Sequence, residues 1–179
     1  MVLLTTTGNN ACANGSVANV KNPYWSSAVT VAEILAAKGS NVITIKPSET
    51  IATLCECLRE KRIGAAIVSS DGKTADGMIS ERDVAFGLAV HKSDLHALPV
   101  SALMTKAVIT CSPSDSVALV ASTMLARNIR HLPVEDQGRV VGMISIRDVL
   151  NWRVSELQHQ TGLLSAFVSE SERNPPVDR

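Results

Sequence analysis

An α+β fold built from two consecutive β-α-β-β-α units is predicted for this chain of 179 residues. The first reason is a repeat. Gly77-Met78-Ile79-Ser80-Glu81-Arg82-Asp83-Val84 returns as Gly142-Met143-Ile144-Ser145-Ile146-Arg147-Asp148-Val149, seven of the eight positions identical at an offset of 65. The second is the form of that stretch. An apolar run ends in Ser, Asp follows three residues later, and the chain continues apolar, as where a strand passes straight into a capped helix. The third is that strand-like and helix-like segments precede each copy in the same order.

Taken in order, residues 1–27 are rich in Asn, Gly, Ser and Thr and have no hydrophobic period, so a flexible N-terminal arm is expected there. The first repeat is placed at 28–92. Val31, Ile34 and Leu35 have helical spacing and Gly39 is a stop signal. Val42-Ile43-Thr44-Ile45 reads as a β-branched strand ended by Lys46-Pro47. Ser48 or Thr50 caps a helix whose stripe is Ile51, Leu54, Cys55 and Leu58, and Gly64 ends it. Ala65 to Ser69 and Ala75 to Ile79 are strands joined by a turn at Ser70-Asp71-Gly72-Lys73. Glu81 to Val90 is the closing helix, and 91–99 a linker in which His91 and His96 are exposed.

The second repeat, 93–165, follows the same order. Val100 to Met104 is a short lead-in helix matching Val31 to Leu35, and Val108-Ile109-Thr110 a strand matching Val42 to Thr44. Val117, Val120, Ala121 and Met124 repeat the earlier stripe at an offset of 66. His131 to Val134 and Val140 to Ile144 are strands around an Asp136-Gln137-Gly138 turn. A long helix begins after Ser145. The change of offset from 66 to 65 puts one extra residue in the first turn. Each unit is too small to bury a large core alone, so the two are expected to pack together around a pseudo-two-fold axis. The polar, Pro-rich stretch 166–179 is expected to be a frayed tail.

Composition narrows the function. Hydrophobic residues make up 45% of the chain and aromatics 3%, so the core is aliphatic. Lys+Arg and Asp+Glu are 17 each, which argues against a protein that coats nucleic acid or an anionic membrane. No apolar run approaches the ~20 residues that span a bilayer, and the first residues lack the charged start of a secretory signal. A cytoplasmic protein is expected. The four cysteines, Cys12, Cys55, Cys57 and Cys111, form no C-x-x-C pair and read as free thiols. No metal site and no catalytic constellation is read. Met78, Met124 and Met143 suit core positions.

The doubled Gly-h-h-Ser-x-x-Asp, the strand Arg130-His131-Leu132-Pro133-Val134 and the opening Val100-Ser101-Ala102-Leu103-Met104-Thr105 resemble the tandem CBS-domain pair, named after cystathionine β-synthase, in its small stand-alone bacterial form. The likeness covers about 29–165. It implies a regulatory module that binds an adenine nucleotide (AMP, ADP, ATP or NADH) between its halves, forms a homodimer and acts in trans on a protein partner. It further implies that Asp takes the ribose hydroxyls, while Ser and nearby basic groups meet phosphate. Carried over, one site uses Thr110, Arg130, His131, Ser145, Arg147 and Asp148, and the other Thr44, Ser80, Arg82 and Asp83.

The chemistry of these residues agrees. A carboxylate accepts from a vicinal diol, a helix N-terminus presents free N–H groups to an anion, and Arg offers a planar fork to phosphate oxygens. The first half carries Gly64-Ala65 where the second has Arg130-His131, so unequal sites are expected, the better equipped near Asp148.

Plainer readings stand beside these. Ser80/Asp83 and Ser145/Asp148 are also capping boxes, worth about 1 kcal/mol with no ligand. Arg130 and His131 also suit a solvated helix end and a strand histidine, and Arg82 and Arg147 surface ion pairs. An enzyme would have to use Cys111, for which no base is evident. A structural adaptor with a vestigial cleft suits the composition as well.

Overall fold

The computed structural model describes residues 29–173, so the expected arm at 1–27 and the last six residues lie outside the description. The elements are α1 (Val31–Lys38), β1 (Thr44–Ile45), α2 (Ile51–Lys61), β2 (Ala65–Val68), β3 (Gly77–Ser80), α3 (Glu81–His91), α4 (Val117–Arg127), β4 (His131–Asp136), β5 (Arg139–Ser145) and α5 (Ile146–Arg173). The linker is itself structured, as a short 3-10 segment at Lys92–Ala97, and a second 3-10 segment follows it at Val100–Ala102. The second of these stands where a helix to Met104 was expected. The backbone of α5 stays helical to Arg173, beyond the frayed end expected from 166.

Two small sheets carry the α+β architecture. In the first half β1 lies parallel to β2 and β2 antiparallel to β3. In the second half β4 and β5 are antiparallel, and the expected strand at Val108–Thr110 shrinks to one bridge between Cys111 and Val134. Val68 pairs with Gly77, nine residues on, and Val134 with Gly142, eight on, so the extra residue does sit in the first hairpin turn. There the Asp71 carboxylate gathers the loop, accepting from the backbone N–H of Lys73 and Thr74.

The helices start and stop by matching devices. The Thr50 hydroxyl accepts from Thr53 N–H and the Ser116 hydroxyl from Leu119 N–H, caps worth about 1 kcal/mol each. Both helices end in a left-handed residue, Arg62 (φ 53°) after α2 and Asn128 (φ 52°) after α4. The stop expected at Gly64 thus falls earlier and on a non-glycine residue. In each case the following N–H reaches back to the helix, Ile63 to Leu58 and Ile129 to Met124.

The lead-in segments do not pack on the halves they precede. Val31, Ile34 and Leu35 of α1 are buried against Val117, Val120, Met124, Leu132 and Ile144 of the second half. Leu95 and Val100 are buried with Ile45, Ile51, Leu54 and Ile79 of the first. The backbone seals the exchange twice over. Val31 N–H donates to Asp115 and Val117 N–H to Val29; correspondingly, Val100 N–H donates to Glu49 and Ile51 N–H to Leu98. These matched pairs relate the halves by the expected pseudo-two-fold.

The exchange explains the glycine of the doubled motif. A Cβ on Gly142 would lie 2.8 Å from both methyl groups of Leu35. A Cβ on Gly77 would lie 2.8 Å from Met104 Sδ and 3.0 Å from the Thr105 carbonyl oxygen. That carbonyl is held by Met78 N–H at 2.9 Å. Gly77→Ala and Gly142→Ala should each cost about 1–3 kcal/mol in urea unfolding. Removing the side chain that is struck should separate them: Gly142→Ala adds little on a Leu35→Ala background, whereas Gly77→Ala keeps a penalty with Met104→Ala because the Thr105 carbonyl stays. Equal behaviour in the two cycles would contradict the packing described.

Candidate functional site

Each Ser-x-x-Asp sits where its strand becomes a helix. Ser145 ends β5 and caps α5; Ser80 ends β3 and caps α3. Asp148 Oδ2 accepts from Ser145 N–H at 2.7 Å and from its hydroxyl at 2.8 Å. Asp83 Oδ2 does the same with Ser80, at 2.8 and 2.6 Å. The capping boxes are therefore formed. Capping falls on Oδ2 in both, and an ionised carboxylate has about four acceptor positions over its two oxygens, so capping does not exhaust it.

Two clefts open between the halves, and the assignment of residues to them is crossed. Asp83, Ser80 and Arg82 face Ala107, Val108 and Ile109 of the second half across a cleft of about 180 Å³. Asp148, Ser145 and Arg147 face Asn41, Ile43 and the end of α2 in the first half across one of about 670 Å³. Lead-in exchange causes this, because it brings each half's first strand against the other half's strand–helix junction.

Thr44 and Thr110 are placed differently from the rest of the expected set. Both are half-buried and line neither cleft. Side chains alternate along an extended chain, so the cleft faces fall to Ile43 beside Asp148 and Ile109 beside Asp83. Arg130 and His131, expected beside Asp148 alone, line both clefts. His131 pairs directly across from Ser145, and Ile146 N–H donates to the Arg130 carbonyl. Near the His131 ring is Gly64, whose added Cβ would sit 3.6 Å from Cε1. The rest of the expected set is brought together as read: Ser145, Arg147 and Asp148 in one cleft, Ser80, Arg82 and Asp83 in the other.

Sequence reading missed Lys38, Arg59 and Arg62, all on the first-half wall of the Asp148 cleft. Their absence from the second half at aligned positions is a signal, but only to a reader who knows that the halves cross. Lys38 Nζ donates to Asp148 Oδ2 at 2.7 Å. Burial works against ionising Asp148, yet the hydrogen bonds from Lys38 and Ser145 outweigh it and hold the carboxyl below the ordinary range. In the smaller cleft Arg82 reaches across to the Asn128 carbonyl at 3.4 Å. Cys111, the one candidate nucleophile, is buried, its thiol 3.7 Å from the Pro133 carbonyl and pushed up to about 12 by burial and by Asp115. It is a thiol at neutral pH, unsuited to attack. Among the described residues no group of His, Cys, Asp and Glu is arranged to hold a metal ion, and no helix is long and apolar enough to cross a membrane.

His131 has a pKa depressed by burial and by Arg130, against the opposing pull of Asp148 and Glu81, with Lys38 adding to the depression. Below about pH 6.5 the unfolded chain takes up a proton here that the native state refuses. Stability should therefore fall as pH drops from about 6.5 through the lower native pKa. His131→Gln should flatten that segment of the profile, read as urea midpoints at about pH 7.5 and 5.5. An unchanged slope would show that His131 titrates normally.

A model of the CBS domain matches the chain twice, over residues 31–89 and 100–155. The chain is 32% identical over 123 residues to the uncharacterized protein MJ1225 of Methanocaldococcus jannaschii, covering 66% of this chain and 43% of that protein, less than half its length. Among solved structures, a putative signal-transduction protein with CBS domains from Burkholderia ambifaria is 33% identical, with a TM-score of 0.67 over 71% of this chain and 95% of that one. The CBS domain pair of protein MJ0100, solved in complex with 5′-methylthioadenosine and S-adenosyl-L-methionine, is 26% identical, with a TM-score of 0.64 over 72% of this chain and 98% of that one.

Proposed function

The chain belongs to the CBS-domain family, and on that footing we propose that it is a regulatory module that binds an adenine nucleotide between its halves and acts in trans on a protein partner. The observation that carries this reading is the crossed geometry. Each helix-capping carboxylate faces, from across a cleft, backbone and side chains of the other half. A ligand that touches both walls has a different affinity for each relative arrangement of the halves, which is what a regulatory ligand requires. The adenosine ligands bound by the MJ0100 pair support adenosine as the shared chemistry. The Asp carboxylates would take the ribose diol and the Arg side chains the phosphate.

The output surface we assign to the helices. Leu150, Val154 and Leu157 form an exposed stripe on α5, 45–55% accessible, and Phe86 and Val90 on α3 are 67% and 74% accessible. Apolar stripes of this kind suit a second copy of the chain, so the module works as a homodimer. Residues 1–27 and the end of α5 are left to meet the partner.

A thermal-shift panel of AMP, ADP, ATP, NADH, 5′-methylthioadenosine and S-adenosylmethionine tests the reading. A ligand at one hundred times its Kd should add about 2.7 kcal/mol. Asp148→Ala should abolish most of the shift and Asp83→Ala less. If no compound moves the transition, an adaptor with an empty cleft becomes the better account; equal losses would refute the inequality of the sites. Light scattering at micromolar concentration should give twice the chain mass, and a monomer would remove the dimer from the proposal.

A further inference from the structure

The two clefts are built on one backbone plan but do not carry the same charge. At the end of α2, Arg59 and Arg62 face the Asp148 cleft. At the aligned end of α4 the positions hold Leu125 and Asn128. On the lead-in side Lys38 faces Asp148, while its counterpart, three residues beyond Met104 as Lys38 is beyond Leu35, is Ala107. Three substitutions thus put three cations on one first wall and none on the other. With Arg130 and Arg147 the larger cleft has five cations against two carboxylates, Glu81 and Asp148. The smaller has Arg82 and Arg130 against Asp83.

Two further observations point the same way. The larger cleft, about 670 Å³, lies within the usual range for organic ligands of roughly 300–1,000 Å³, and the smaller, about 180 Å³, lies below it. Arg62 is also held at φ 53°, left-handed backbone that suits Gly or Asn, and Asn is what the other half uses at Asn128. A strained residue on a cleft wall is a sign that its side chain is wanted there.

We infer that the Asp148 cleft selects a nucleoside carrying two or more phosphates, with Arg59 and Arg62 as the residues that read the phosphate chain. This rests on the adenosine-binding reading above and adds to it which ligand class the better equipped cleft prefers. Guanidinium forks bind phosphate oxygens in pairs, and a cleft with an excess of one sign concentrates its counter-ion. Lys38 neutralises Asp148 without closing it, since its flexible stem lets the ammonium turn from the carboxylate to an arriving phosphate. An uncharged adenosine derivative would leave the cations facing one another.

The test is calorimetric titration of the full chain with ATP, AMP and 5′-methylthioadenosine, at about 50 and 300 mM salt. Wild type should bind ATP at least about tenfold more tightly than either other ligand at the lower salt, and the gap should narrow at the higher. Arg62→Asn, which installs the other half's residue, should weaken ATP by about tenfold and 5′-methylthioadenosine by less than about twofold. It should also raise the melting temperature of the ligand-free protein by about 2–4 °C, because the left-handed strain is relieved. Arg59→Leu should weaken ATP in the same selective way. If AMP or 5′-methylthioadenosine binds as tightly as ATP, or if Arg62→Asn weakens all three alike, the inference is overturned while adenosine binding stands. Absence of heat with every nucleoside at millimolar concentration overturns both.

Discussion

Everything in this structure depends on the exchange of lead-in segments between the halves. A unit of about 60 residues buries so little apolar surface that it is marginally stable by itself. Here each unit closes its core with residues borrowed from beside the other: Val31, Ile34 and Leu35 in one direction, Leu95 and Val100 in the other. The loan is secured by backbone bonds that place Thr30 against Ser116 and Thr50 against Pro99. Because those bridges also set the caps of α2 and α4, the exchange orients helices as well as filling cores.

The clefts are a by-product of that arrangement. Crossing brings Ile43 and Asn41 opposite Asp148, and Ala107 to Ile109 opposite Asp83. The capping box then has two roles that do not conflict. It fixes the carboxylate by bonds to one oxygen and aims the group at a wall supplied by the other half. Arg130 and His131 start β4 next to the axis and so border both clefts. In the first half the same place is taken by Gly64 and Ala65, which leaves room for them.

Local features were legible in the sequence and relational ones were not. The doubled Gly-Met-Ile-Ser-x-Arg-Asp-Val named both strand–helix junctions, and the stripes Ile51-Leu54-Leu58 and Val117-Val120-Met124 found both long cap-to-cap helices. Periodicity reports which face is buried but not against what, so it could not say that α1 belongs to the second core. The same gap hides that Ile43 and Ile109, the neighbours of Thr44 and Thr110, line the clefts. It also explains why Lys38, Arg59 and Arg62 went unnoticed: they are ordinary surface cations until the first half is placed beside Asp148. The Val108–Thr110 strand was overread because β-branched residues fit any extended segment, paired or not.

The exchange also orders events during synthesis. The chain leaves the ribosome N-terminus first, and domains fold as their parts emerge. The first half's core is complete once Val100 to Met104 has been made. The apolar face of α1, made earlier than any of it, has no core to enter until α4 and the hairpin β4–β5 follow. For that interval Val31, Ile34 and Leu35 stand as an unsatisfied sticky strip on a nascent protein, so the first of the described helices to be translated is among the last to be seated.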